Sequence, residues 1–346
     1  MRVFLVLSSS LPIPKALLLA HAQALIPSLV NSREVQLIVV SNDFDAAMQA
    51  FCEAHNDVRM QSIQQAAGFI QQATNAVIVH FGTELNWAKG FPQYFIPLST
   101  PLQWKDDSFL KRYLLKRKMQ KWLSDAAKII ALEDWALFNL QSQYPQWLAK
   151  IQLYAGPLLN LPPVEWQMLA ATREQMSAGN SYFLVFAPIE RFVPILKAFS
   201  VFKKWQQTTM HLVFVFDHPK AIPLANAQLK GYKFKDSISI HHCDEFQNTW
   251  LAAAYAVLWQ GVNFAHAIWM QTAIQFEIPL WLDTQLALPT HWEKAGEVFS
   301  FTEPMELSNH FKLYYKDELY RQAMAKAGKE WLAGQVLSDS PADLFK

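Results

Sequence analysis

His241, His242, Cys243 and Asp244 form the densest run of metal-ligand side chains in the sequence. On a strand, neighbouring side chains point to opposite faces, so at most His241 and Cys243 share one. Two ligands without a distant second pair do not make a metal centre, and none is expected. A second group lies at Asn263-Phe264-Ala265-His266. Asn263 is a good N-cap for a helix over 264–276. A helix start just past the carboxyl end of a strand is where an open α/β sheet takes an anion or phosphate. The backbone amides of Asn263, Phe264 and Ala265 are therefore candidate phosphate donors. His266, in the first turn, either faces that mouth or is a buried histidine without a role. Glu84, in HFGTELNW, either supplies a cleft carboxylate or is a solvated loop residue. No HExxH, P-loop, GxSxG or GxGxxG occurs, so zinc protease, P-loop NTPase, serine hydrolase and dinucleotide dehydrogenase lack their local signatures.

The elements that would position these residues are readable. From Gln247 to Phe276 there is no Asp, Glu, Lys or Arg, which raises a transmembrane helix. Gln260, Gly261, Asn263, His266, Gln271 and Gln275 interrupt the run, and it divides into helix 246–255, strand 256–259, turn 260–263, helix 264–276 and strand 278–282. That is a buried αβαβ unit. Upstream, strands are expected at 3–7, 35–40, 58–61, 76–80, 94–98, 128–132 and 151–154, with helices at 15–29, 44–54, 62–74, 107–126 and 134–143. Pro97 weakens the fifth strand. MRVFLVL could open a signal peptide, but Ser8, Ser9, Ser10, Pro12, Pro14 and Lys15 break the apolar run, and a first strand is expected instead. GPLLNLPP (156–163) has the composition of an interdomain linker. Alternation restarts beyond it, with strands at 182–186, 211–216, 237–240 and 298–301 joining those above, a helix opening near Pro304, and a long amphipathic helix at 316–332.

The totals exclude some functions. Net charge is +1, so nothing drives the chain toward nucleic acid. Cys52 and Cys243 make no disulfide framework and fit a reducing compartment. Only 10 glycines occur, none before Gly68, which argues against a standard phosphate-cradling loop. Helix 107–126 carries Lys111, Arg112, Lys116, Arg117, Lys118 and Lys121 on one side and Phe109, Leu110, Tyr113, Leu114, Met119, Trp122 and Leu123 on much of the other. It either lies on an anionic membrane or packs its apolar face on its own sheet.

The order of segments resembles the GT-B glycosyltransferases, specifically the large retaining group called family 4. YFLVF (182–186) and ERFVPILKAFSVFKKW (190–205) are similar to that family's strand and following helix. HLVFVFDHP (211–219), ISIHHCDEFQNTWLAAAYAVLW (238–259), EIPLWLD (277–283) and DELYRQAMAKAGKEWL (317–332) are similar to its later strands and last helix. SDAAKIIALEDW (124–135) and IQLYAGPL (151–158) resemble the end of its first domain. The resemblance implies an α/β chain of two Rossmann-like doubly wound domains facing across a cleft, with a C-terminal helix returning to the N-terminal domain. It implies an acceptor-side domain over 1–160, a donor-side domain over 161–318, and a helix and tail over 319–346. The family's paired donor glutamates, spaced E-x7-E, fall here at Phe264 and Thr272. Its diphosphate-binding basic pair falls near 188–191, where Arg191 stands. His80 matches a histidine common at the end of the fourth strand, and is the catalytic candidate. Donor-site positions by resemblance are thus Arg191, Asn263, Phe264, Ala265, His266 and Thr272.

The expected function is metal-independent, retaining transfer of a hexose from a nucleotide diphosphate sugar to a glycan or lipid-linked acceptor. The nucleotide sugar is a co-substrate, and no cofactor is implied. The alternative is a catalytically inactive GT-B-like protein serving as a binding or scaffold subunit in glycan assembly. A third reading is a peripheral membrane-binding module using helix 107–126. A cytoplasmic location is expected, with a peripheral place at the inner face of the membrane.

Overall fold

The computed structural model describes residues 1–8, 11, 13–30, 35–42, 46–55, 57–82, 90–99, 108–154, 158–159, 161–260, 263–284, 288, 290–301 and 303–335. Glu84, and residues 156, 157 and 160 of the linker 156–163, lie outside them. The chain forms two compact units. The first takes in residues 1–160 with Asn263–Ala265, the second residues 161–262 and 266–335.

The first unit is built on seven short strands: β1 (Arg2–Val6), β2 (Gln36–Val40), β3 (Val58–Gln61), β4 (Ala76–His80), β5 (Gln93–Phe95), β6 (Lys128–Ala131) and β7 (Ile151–Leu153). Their order across the sheet is β3-β2-β1-β4-β5-β6-β7, and every pairing is parallel. β4 is buried along its whole length, and β1, β2, β5 and β6 are buried beyond their first residue, as strands covered by helices on both faces must be, while the edge strands β3 and β7 are more open. β5 is shorter than expected. Pro97 cannot donate to a ladder, and pairing stops at Phe95 apart from one bond from Ile96 N–H to the His80 carbonyl, 2.9 Å. The helices are α1 (Lys15–Val30), α2 (Ala46–Glu53), α3 (Ile63–Gln71), α4 (Phe109–Asp125) and α5 (Asp134–Gln143). A capping box fixes the start of α3. The Ser62 hydroxyl accepts from Gln65 N–H at 3.2 Å, and Gln65 Oε1 accepts from Ser62 N–H at 3.0 Å.

The second unit has β8 (Tyr182–Phe186), β9 (His211–Phe216), β10 (Ile238–His242), β11 (Ala256–Trp259), β12 (Leu280–Asp283) and β13 (Glu297–Phe299), in the parallel order β10-β9-β8-β11-β12-β13. Its helices are α6 (Trp166–Ser177), α7 (Phe192–Trp205), α8 (Ala221–Leu229), α9 (Asn248–Ala253), α10 (Ala267–Gln275), α11 (Pro304–Lys316) and α12 (Glu318–Ala333). The uncharged run 247–276 therefore folds as α9, β11 and α10. No helix among the described residues is long and apolar enough to cross a membrane. Aromatic rings hold α11 to the sheet. Phe183 lies 4.7 Å from Phe311 and 5.3 Å from Trp281, centroid to centroid. The last helix, α12, packs on α10 and β12 of the same unit. Residues 336–346, which follow it, lie outside the described residues.

In both sheets the strand order reverses between the first and fourth strands of the unit, β1/β4 and β8/β11. Open α/β sheets bind ligands at the carboxyl ends of the strands flanking such a point.

Candidate functional site

At the carboxyl edge of the second sheet, Phe186, Trp259 and Leu282 lie at one level, because the parallel register pairs Trp259 with both neighbours. The residues beyond that level form the edge: Asp217 after β9, Gln260 after β11, and Asp283 closing β12. His266, in a 3-10 turn that leads into α10, is buried among Phe186, Trp259 and Trp269, with ring centroids 5.8, 5.4 and 5.4 Å away. Its Nε2 lies 3.0 Å from Asp217 Oδ1. Neither ring nitrogen makes an aligned hydrogen bond among the described residues, so the contact leaves hydrogen-bonding capacity unused.

Asp217 is held from behind as well. His242 Nδ1 accepts from Asp244 N–H at 3.3 Å, so Nε2 carries the ring hydrogen, and it reaches the Asp217 carbonyl at 3.2 Å. The carboxylate, 36 % exposed, faces solvent with its far side toward His266. Next to it, Gln260 Nε2 donates to Asp283 Oδ2 at 2.5 Å. Gln260 Oε1 and Trp259 Nε1 are buried without a hydrogen-bond partner among the described residues. Several buried polar groups with unfilled capacity, gathered at a sheet's switch point, are the local chemistry of a binding site for a hydroxyl-rich ligand.

The residues singled out in the sequence fall as follows. Arg191 closes a 3-10 turn after β8 and is the N-cap residue of α7, half-buried at this same edge. Asn263 does cap: its Oδ1 accepts from Ala265 N–H at 3.1 Å. That bond occupies one of the amides expected to meet a phosphate, so Ala265 is not an available donor. Phe264 is buried core. Thr272 is buried, and its hydroxyl donates to the Ile268 carbonyl at 2.7 Å, one turn back in its own helix. Neither E-x7-E position therefore presents a polar atom outward. The strand-alternation reading of His241 and Cys243 is also corrected. β10 ends at His242 and residues 243–245 turn as a 3-10 helix. The turn brings His242 and Asp244 together, Nδ1 to Oδ2 3.5 Å. Ligand atoms of His242, Cys243 and Asp244 lie within 4.8 Å of one another. Cys243 is buried, and burial, then the charges of Asp217 and Asp244, push its thiol pKa up, away from the thiolate a metal needs.

In the first unit, His80 ends β4 beside the β1/β4 switch. It is buried, and burial holds its pKa down at about 4. Its Nδ1 accepts from Gly82 N–H at 3.3 Å, so the neutral ring carries its hydrogen on Nε2 and can only donate there. Sequence reasoning missed a second buried pair in this unit. His21 Nδ1 lies 3.7 Å from Glu133 Oε1, and burial, then the Asp134 charge, raise the Glu133 pKa well above the carboxylate range. His21 Nε2 donates to the Ala265 carbonyl at 2.9 Å. Asp217, Gln260 and Asp283 were missed too. Only their position marks them, Asp217 and Gln260 just past a strand end and Asp283 at one.

No protein-family model matches the chain, and no curated protein does. Solved structures do. HepE of Anabaena, solved in complex with UDP and glucose, is 13 % identical over 96 % of this chain and 95 % of its own, with a TM-score of 0.68. WaaG, a glycosyltransferase involved in lipopolysaccharide biosynthesis, is 13 % identical over 99 % and 98 %, with a TM-score of 0.64. A putative UDP-N-acetylglucosamine 2-epimerase from Listeria monocytogenes is 13 % identical over 96 % and 94 %, with a TM-score of 0.59. At these identities the likeness is one of fold. Two parallel-sheet, Rossmann-like α/β units in the GT-B arrangement of elements make up the chain.

Proposed function

We propose that this chain binds a nucleoside diphosphate hexose, uridine first among the bases, and transfers the hexose with retention to a glycan or lipid-linked acceptor. The observation that carries the reading is the Asp217–His266 pair, with unfilled polar capacity around it, at the β8/β11 switch point. HepE, which shares the fold, was solved with UDP and glucose, and that supports uridine as the base.

In this reading the second unit is the donor side and the first the acceptor side. Arg191 and the start of α7 neutralise the departing diphosphate. Asp217 accepts hydrogen bonds from ribose or sugar hydroxyls, taking over the task that carboxylates at 264 and 272 would have had. His266 sets its orientation. The bond from sugar C1 to the diphosphate oxygen breaks, the acceptor oxygen bonds to C1, and the acceptor proton leaves with the diphosphate. His80 offers its Nε2–H to a hydroxyl; with Nδ1 occupied by Gly82 N–H, its ring has no free lone pair to act as the base.

A second reading keeps the binding and drops the transfer. Phe264 and Thr272 favour it, because both are absorbed into the core of the chain. Release of UDP from UDP-hexose separates the two. Transferase ancestry with surviving chemistry gives slow release above the spontaneous rate, reduced at least about tenfold in Arg191→Ala by the loss of one charged contact. Binding without release selects the scaffold reading.

A lipid-linked acceptor would bring the protein to a membrane surface, and helix 107–126 supplies the peripheral contact in this reading.

A further inference from the structure

The polar groups at the carboxyl edge of the second sheet sort onto its two faces. Side chains alternate along a strand. Leu258 and Trp281 pack into the core that Phe192 and Ile195 of α7 and Phe311 of α11 share. Gln260 and Asp283, two residues further along their chains, fall on that same face. The ladder continues that far, because Gln260 N–H donates to the Phe186 carbonyl at 2.8 Å and Thr284 N–H to the Phe299 carbonyl at 3.1 Å. Trp259 turns to the opposite face, where it meets His266, and His266 lies against Asp217. The edge therefore carries two separate accepting groups, Asp217 following β9 and the Gln260–Asp283 pair at the ends of β11 and β12. In the sheet order β9-β8-β11-β12, β8 stands between them, and its connection to α7 carries Arg191.

Gln260 is held in one orientation. Its Nε2 donates to Asp283 Oδ2 at 2.5 Å. A carboxylate accepts and does not donate, so a flipped amide would set oxygen against oxygen. Oε1 is thereby the atom left for another partner. It is buried without one among the described residues, in a side chain of a residue only 5 % exposed. A buried carbonyl oxygen without a donor is costly to keep. Whatever fills it must donate a hydrogen bond, which an ionised diphosphate does not do and a hydroxyl or an amide N–H does.

We infer that Gln260 reads the hexose, its Oε1 accepting from a sugar hydroxyl or an acetamido N–H, with Asp283 as its positioning residue. The order of groups along the edge carries the inference. A nucleoside diphosphate hexose has a hydroxyl-bearing ring on each side of one anion. With the diphosphate at Arg191, one ring falls toward β9 and the other toward β11 and β12. Burial tells the two apart. Asp217 is 36 % exposed, whereas Asp283, like Gln260, is almost wholly buried. The sugar carbon to be transferred has to be kept from water, since hydrolysis competes. The hexose therefore takes the buried pair and the ribose takes the open carboxylate. This inference rests on the nucleotide-sugar reading of the site and gives it a direction, nucleoside toward β9 and hexose toward β12.

The test is calorimetric titration of UDP, UDP-glucose and UDP-N-acetylglucosamine into the full chain and its variants. Gln260→Leu is expected to bind UDP within about twofold of the parent and at least one of the UDP-sugars about tenfold more weakly, the effect of one lost buried hydrogen bond. Retained UDP binding doubles as the measure of intact folding, and Gln260→Met, unbranched like glutamine, is the second variant should leucine not be accommodated. A loss seen with UDP-glucose marks a hydroxyl as the donor; a loss confined to UDP-N-acetylglucosamine marks the acetamido N–H. Asp283→Asn keeps an oxygen that can accept from Gln260 Nε2 and is expected to retain most of the UDP-sugar affinity, whereas Asp283→Leu releases the amide and is expected to behave as the Gln260 variants do. Equal behaviour of the two Asp283 variants overturns the positioning role. A loss shared equally by UDP and both UDP-sugars, or no loss at all, overturns the reading of Gln260 and leaves the donor site standing. No UDP binding by the parent protein removes the donor site and this inference together.

Discussion

His80 shows how one side chain ties chemistry to stability. It is buried and neutral, with Nδ1 accepting from Gly82 N–H. Its pKa is held down from 6.5 to about 4. As pH falls through 6.5 the unfolded chain takes up a proton that the folded chain refuses until about 4. Stability is thus full above 6.5 and drains away below it, by roughly 3 kcal/mol across that window at 1.36 kcal/mol per pH unit. Glu133 works in the opposite sense. Its raised pKa keeps its proton in the folded state while the unfolded chain releases it, so its contribution is present at low pH and is lost as pH rises above 4.5. The two overlap, and the His80 part is isolated by difference. Thermal unfolding of His80→Gln, whose amide oxygen can still accept from Gly82, should show a shallower loss between pH 6.5 and 4 than the parent. Parallel pH curves would remove His80 as the titrating group.

Residue-scale chemistry was the least legible part of the sequence. His266 was visible, yet its partner Asp217 lies 49 positions earlier and is recognisable only as the residue following a strand. Residues 241–244 were read by strand alternation, with at most His241 and Cys243 on one face, because the end of β10 carries no glycine or proline to announce the turn that brings His242 and Asp244 together.

Elements were far more legible, since apolar β-branched runs and their spacing are fixed by burial on both faces of a parallel sheet. β3, β4, β8, β9 and β11 have the ends expected for them. β5 and β12 do not: Pro97 lies just past the end of β5 and Pro279 just before the start of β12, and a proline ends or delays pairing. α4 was legible as a basic helix, but not in which of its apolar residues are covered: Leu115, Met119, Trp122 and Leu123 are buried while Phe109, Leu110, Tyr113 and Leu114 are exposed, because periodicity alone does not say which half of a helix touches its sheet. Packing of α12 rests on a glycine. A Cβ at Gly328 would stand 2.8 Å from the Ala295 carbonyl oxygen, a backbone atom that cannot rotate away. Gly328→Ala should therefore lower stability by about 1–3 kcal/mol, read as a fall in the denaturation midpoint, despite the better helix propensity of alanine. A neutral or stabilising result would show that α12 sits less closely on the second unit.

At the scale of the whole molecule, two parallel α/β units each present a switch point, and the second surrounds its switch point with unfilled polar groups. The GT-B fold is shared with HepE and WaaG, and also with a putative epimerase, so the fold alone does not choose the reaction. Calorimetric titration of UDP, GDP, ADP, CMP and dTDP into the purified protein tests the central claim most directly. UDP should bind with a single saturating heat, and Asp217→Ala and Arg191→Ala should each weaken it about tenfold or more. No heat from any nucleotide at millimolar concentration, or UDP binding untouched by both substitutions, would contradict the placement of a donor site at this edge.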